Sequence, residues 1–195
     1  MDYDIYKIQH DLLKKLNEKR FYHSLGVQGI SFALALHYGY DANKANLAGL
    51  LHDVAKCLSD EQLLKECETY HLDISEVERK NPFLLHGKLG SYYAKHVYGI
   101  DDEAILSAIT FHTTGKPDMS ILEKIIFIAD YIEPNRSTKQ IPGLDEVRKL
   151  AFIDLDKTVL LTLENTLKYL EESNKEIDTL TVDTYQYYKN LLLLR

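Results

Sequence analysis

His52 and Asp53 stand side by side at the end of the apolar segment LAGLL. Adjacent helical residues diverge by about 100°, so both side chains can flank a single ion at a helix edge. Lys56 follows three and four residues on, on the same face. A lone His-Asp pair arises often by chance, but other polar groups sit in similarly apolar settings. Arg20 and His23, three apart in RFYHSLGV, share a helix face. Asp130 ends the run IIFIAD, His112 closes AILSAITFH before the helix-breaking TTGKP, and His86 opens LLHGKLG. An unpaired carboxylate on so apolar a helix as that of Asp130 is costly to bury and calls for a partner, of which a metal is the simplest. One histidine at the buried end of a helix is ordinarily a hydrogen-bonded core residue. Four of them beside Asp53 and Asp130 point to a metal site. Imidazoles and carboxylates without thiolate suit iron, manganese, cobalt or zinc, among which ligand identity does not choose. His10, His37, His71 and His96 lie among polar or tyrosine-rich neighbours and are expected to carry no chemistry.

The elements that must position these groups read as helices throughout. Only 9 Gly and 4 Pro punctuate the chain, and apolar residues recur at helical spacing. Ser59 with Gln62, Ser75 with Glu78 and Ser120 with Glu123 fit capping boxes, in which two side chains satisfy backbone donors at a helix start. Gly39 and Gly99 fit C-terminal stops, Pro134 ends Ile121–Ile132, and Asp154 can cap a long helix to about Glu172. The pattern predicts helices near 3–18, 21–38, 42–56, 60–70, 86–98, 102–113, 121–133, 144–151, 155–172 and 182–193, with no strand. It thus predicts one all-α domain over 1–195, the motifs concentrated in about 20–143 and a helical extension in about 144–195.

Composition narrows the partners. The 195 residues are 45% hydrophobic and 27% charged, a globular balance. With 23 Lys and Arg against 30 Asp and Glu, the net charge of −7 repels nucleic acid and anionic membrane. An anionic ligand must then be drawn by something local, and a metal ion would serve. Cys57 and Cys67 form no Cys-x-x-Cys motif and read as reduced thiols. The N-terminal stretch lacks the pattern of a secretory signal, and no apolar run approaches the roughly 20 residues of a membrane span. A cytoplasmic location is expected. Tyr92-Tyr93 and the tyrosines of 185–188 read as packing or an interface, so a homodimer is open.

The order His23, His52-Asp53, His86, His112, Asp130 resembles the HD-domain superfamily of metal-dependent phosphohydrolases. More closely, RFYHSLGV, LAGLLHDVAK, LLHGKLG, AITFHTTG and IIFIADYIEPNR are similar to the bacterial YqeK-like family of symmetrically cleaving diadenosine tetraphosphate hydrolases. The similarity runs from Arg20 to about Gly143 and weakens over Ser173–Thr184, where the adenosine pocket is least defined. The resemblance implies an all-α HD bundle, with His23, His52, Asp53 and Asp130 as ligands of an iron-type metal. It places Arg20, Lys56, His86, His112, Thr113 and Arg136, beside His23 and Asp130, around the nucleotide phosphates. His86 and His112 admit two readings: phosphate contact beside one ion, or a second metal with Asp53 bridging. Lys116 is left open.

The implied chemistry is hydrolysis of a phosphoanhydride by metal-activated water. Attack at the second phosphate from one nucleoside gives two ADP. Asp53 or Asp130 would orient the water, His112 or His86 would serve the leaving oxygen, and Arg20, Lys56 and Arg136 would offset phosphate charge. Rival readings are another nucleotide phosphohydrolase such as a 5′-nucleotidase, a di-iron oxygenase, and a non-enzymatic sensor. Alarmone hydrolases carry Glu-Asp shortly after the His-Asp pair, where Val54-Ala55-Lys56-Cys57 stands here. Cyclic dinucleotide phosphodiesterases need a late Gly-Tyr-Pro, whereas Gly39-Tyr40 precedes Asp41.

Overall fold

Helix starts follow the local sequence closely in the computed structural model, which describes residues 3–139 and 141–194. Asp4, Asn17, Asp41, Ser59, Ser75, Asp102, Ser120, Asp154 and Asp178 each accept a backbone N–H in the first turn of the helix that follows. The elements are α1 (Ile5–Lys15), α2 (Glu18–His37), α3 (Ala42–Leu51), α4 (Asp60–Thr69), α5 (Glu76–Lys80), a 3₁₀ turn (Pro82–Leu85), α6 (His86–His96), α7 (Glu103–Phe111), α8 (Ile121–Ile132), α9 (Leu144–Leu150), α10 (Leu155–Glu172) and α11 (Thr179–Leu193). No strand occurs among the described residues, and none of their helices is long and apolar enough to cross a membrane. The fold is all-α, as the sequence predicts; Met1, Asp2, Gln140 and Arg195 of the expected 1–195 domain lie outside the described residues.

Three of the differences from the periodicity have a clear local reason. The helix expected over 3–18 is interrupted because Leu16 turns extended and Asn17 caps a new one, its Oδ1 accepting the Arg20 N–H at 2.9 Å. Arg20 and His23 therefore sit in the opening turns of α2. The helix expected over 42–56 ends as an α-helix at Leu51. Residues beyond it tighten into i→i−3 turns, with Val54 N–H donating to Leu51 and Lys56 N–H to Asp53. Side chains three apart eclipse in such turns, which puts Asp53 and Lys56 on one side. Finally, the capping box at Ser75 and Glu78 starts the five-residue α5, too short and polar to show periodicity.

The apolar α8 is the axis of the bundle. Ile125, Ile126, Ile128 and Ala129 are fully buried, and α2, α3, α7, α9 and α10 pack around this helix. Two glycines set how closely the site-bearing helices approach. A Cβ on Gly49 would lie 2.8 Å from Ser31 Oγ and 3.1 Å from Gln28 Cα, so α3 lies tight against α2. A Cβ on Gly87 would lie 2.6 Å from the Thr110 carbonyl, so the start of α6 abuts the end of α7. The tail folds back: Tyr188 of α11 is buried and its hydroxyl accepts the Met119 N–H at 3.1 Å. Cys57 is exposed and Cys67 buried, and both are free thiols.

Backbone cannot yield as a flexible side chain can, so Gly87→Ala should push α6 off α7 and lower stability by about 1–3 kcal/mol. Urea unfolding monitored by circular dichroism checks this, and an unchanged midpoint would contradict it.

Candidate metal centre

Every chemically promising residue from the sequence lies where a helix begins or ends. The opening turns of α2 contribute Arg20 and His23. The turn after α3 contributes His52, Asp53 and Lys56; the start of α6, His86; the turn after α7, His112 and Thr113; the end of α8, Asp130; and the loop beyond it, Arg136. His10, His37, His71 and His96 are exposed and take no part. Lys116 turns away to Glu123 at 2.9 Å.

Each central imidazole is locked through its Nδ1. His52 Nδ1–H donates to the Gly49 carbonyl and His112 Nδ1–H to that of Ile109, both at 2.7 Å, and His86 Nδ1–H donates to Phe83. The three repeat one device: a histidine at a helix junction bonded to the carbonyl three residues back. His23 is held instead by Glu133, its Nδ1 lying 3.1 Å from Glu133 Oε1. A neutral imidazole has one N–H, so a donating Nδ1 leaves a bare lone pair on Nε2.

The Nε2 atoms and the carboxylates converge. His23 Nε2 lies 3.2 Å from His52 Nε2 and 3.0 Å from Asp130 Oδ1. Asp53 Oδ2 is 3.3 Å from His52 Nε2 and 3.5 Å from His23 Nε2. The other carboxylate oxygen, Asp53 Oδ1, lies 3.3 Å from His86 Nε2 and 3.5 Å from His112 Nε2. Lone pairs and carboxylates facing one another at this range repel unless a proton lies between them, and among the described residues the nitrogen facing His52 Nε2 is His23 Nε2. A proton on His23 could serve Asp130 or His52 but not both fully. A cation relieves all of these contacts together. Atoms bound to one cation at about 2.1 Å stand roughly 3.0 Å apart at right angles and ~3.4 Å apart in a tetrahedron, which matches the observed spacing. His23, His52 and Asp130 form one group able to hold an ion; His52, Asp53 and His112 form another.

His86 and His112 differ from this pair. Their Nε2 atoms are 3.0 Å apart, but Lys56 Nζ reaches His86 Nε2 at 3.1 Å and Thr113 Oγ1 lies 3.2 Å from both. Protein donors answer these lone pairs. Arg20 donates to Asp53 Oδ2 at 2.5 Å and Arg136 to Asp130 Oδ1 at 2.7 Å, so two guanidiniums flank the carboxylates.

Burial opposes ionisation of both carboxylates, yet their neighbours prevail. His52, His112 and His86 hold Asp53 well below the usual range, and His23, Arg136 and His52 do so for Asp130. Burial pushes His52 down, and burial with Lys56 pushes His86 down to about 4. His23 moves up despite burial because Asp130 and Glu133 face it. Burial, then Arg20 and Arg136, lowers Lys56 against the pull of Asp53 and Asp130.

Glu133 escaped the sequence reading. Its only signal there is a spacing of three from Asp130, on the far side of a helix end.

The arrangement is that of a metal-dependent hydrolase, and the comparisons agree. Residues 20–135 match the model of the HD domain, and the chain belongs to that family. Within it the chain belongs with the symmetrical bis(5′-nucleosyl)-tetraphosphatases. A protein of that name from Halalkalibacterium halodurans is 43% identical over 92% of this chain and 91% of its own length, and one from Bacillus subtilis is 38% identical over 89% and 91%. A crystal structure of a predicted HD superfamily hydrolase involved in NAD metabolism, from Clostridium acetobutylicum, superposes with a TM-score of 0.92 at 43% identity, covering 97% of this chain and 99% of that one.

The depressed His52 and His86 make the metal-free protein sensitive to acid. As pH falls below the ordinary histidine value of 6.5 toward about 4, the unfolded chain takes up protons that these two groups refuse when folded. His23, shifted upward, offsets part of the loss. The metal-free protein should therefore melt at a lower temperature at pH 5 than at pH 7; calorimetry showing the reverse would contradict this.

Proposed function

We propose that the chain hydrolyses a dinucleoside tetraphosphate, diadenosine tetraphosphate first among them, symmetrically to two nucleoside diphosphates. One divalent transition ion, iron in the first instance, would be held by His23, His52, Asp53 and Asp130. The observation that carries the reading is the 3.2 Å approach of His23 Nε2 to His52 Nε2, beside two carboxylates. Nucleotide chemistry follows from the names of the relatives together with the cations around this centre.

Such an ion, when bound, supplies hydroxide at neutral pH by lowering the pKa of water toward ~7. The protein groups do the rest. Asp53 orients the attacking water, its carboxylate facing both histidine pairs. Arg20 and Arg136 offset phosphate charge through forked hydrogen bonds, and Lys56 does so as a point charge. His86, His112 and Thr113 cradle a phosphate on the side away from Asp130, with His112 serving the leaving oxygen. His86 is less suited to that proton because burial and Lys56 keep its Nε2 unprotonated at neutral pH. Beyond Thr113 a cavity of about 360 Å³, walled also by Phe111, Lys88, Val77, Asp178 and Leu180, offers room for one nucleoside. The donors already satisfying His86 and His112 favour a single ion with phosphate contact over a two-metal oxygenase.

Metal analysis with chromatography of the products tests the reading. Two ADP per diadenosine tetraphosphate is the expected outcome; ATP plus AMP, or no cleavage, would overturn it. His52→Ala and Asp130→Ala should each lose bound metal and most activity. Lys56→Ala should keep the metal while turnover falls by roughly 10²-fold, and unchanged kinetics would show that Lys56 does not meet substrate.

A further inference from the structure

Glu133 is a charged group that the hydrolytic mechanism does not use. It is 1% exposed at the end of α8, and α2 makes space for it. A Cβ on Gly26 would collide with Glu133 Oε2, so only glycine at that position of α2 leaves the carboxylate room. Both oxygens accept. Oε1 faces His23 Nδ1 at 3.1 Å, while Oε2 accepts the Asn135 backbone N–H at 2.7 Å and the Asn135 side-chain N–H at 3.0 Å. Asn135 in turn donates to the Tyr22 carbonyl, tying the loop to the turn that carries His23.

His23 needs this support because it lacks the device of the other three histidines. His52, His86 and His112 each give Nδ1–H to a carbonyl three residues back, and a carbonyl can only accept. His23 lies inside α2, where carbonyls are consumed by the helix, so its tautomer must be fixed from elsewhere in the chain. We infer that Glu133 is a positioning residue that fixes His23 as the Nδ1–H tautomer and keeps Nε2 free for the cation. The inference rests on the metal reading above.

A carboxylate has this capacity and its amide isostere does not. Glutamine at this position would have one accepting and one donating end. With its oxygen toward the two Asn135 donors, its NH₂ would point at His23 Nδ1 and force the proton onto Nε2. With the ends reversed, the NH₂ would oppose two N–H groups of Asn135. The first arrangement blocks the ligand atom, and the second unseats the loop after α8.

Glu133→Gln therefore separates positioning from mere structure. In the metal-free protein, at a pH high enough to leave His23 neutral, ¹⁵N–¹H correlation spectra of the imidazoles should show the His23 proton moving from Nδ1 to Nε2. The dissociation constant for Mn²⁺, titrated against the folded variant, should rise about 10–100-fold, the range typical when the outer partner of a ligand histidine is lost. Gly26→Ala, which crowds the same carboxylate from α2, should shift the same two readouts and serves if Glu133→Gln does not fold. An unmoved His23 proton and unchanged Mn²⁺ affinity in a folded variant would overturn the inference, even if its melting temperature fell. Absence of Mn²⁺ binding by the unaltered protein would instead defeat the metal reading itself.

Discussion

Two imidazole nitrogens and two carboxylates crowded into one buried space, with too few protons to satisfy them all, govern this structure. A folded chain normally buries a nitrogen only when a donor answers it. Here His23 and His52 turn their Nε2 atoms to each other at 3.2 Å, where one proton cannot serve both them and Asp130, and Asp53 and Asp130 add negative charge to the same space. The fold tolerates this because rigid helix ends hold the rings and two guanidiniums flank the carboxylates. A chain that spends so much packing on an unfavourable cluster is organised around a cation that makes it favourable. The close approaches at Gly49 and Gly87 and the central α8 serve that arrangement.

The fold was legible because most helices announce themselves twice. Apolar spacing marks the body, and Asp, Asn or Ser marks the start; Ser59, Ser75 and Ser120 all form the capping boxes expected of them. Helix ends were less legible. Nothing in the periodicity of 42–56 marks the change after Leu51, because apolar residues continue through Val54 and Ala55 while the backbone tightens. That tightening is what brings Asp53 and Lys56 together. Leu16 and Asn17 likewise set the break between the first two helices a few residues earlier than the 18–21 that the spacing predicts.

The site was readable to the extent that its members stand out against apolar neighbours. His52, His86, His112 and Asp130 do so and converge. Glu133 does not, because it stands beside Pro134 and Asn135 in what reads as a solvent-exposed loop, yet it is among the most buried charges in the molecule. Its role depends on a hydrogen bond to a residue 110 positions earlier, and no local pattern encodes such a separation. The tyrosines of the tail posed the opposite problem. Tyr188 could equally have met a partner, and only the return of α11 toward Met119 shows that it closes this chain's own interior.

The long interval between His23 and Glu133 also orders events as the protein is made. Domains tend to fold as units during synthesis, and α8 is the last of the site-bearing helices to leave the ribosome. Until it docks, the early histidines have neither Asp130 beside them nor a brace for the first ring. A nascent chain thus carries the early imidazoles without Asp130 or the brace, and the full set of four proposed ligands comes together only when α8 docks.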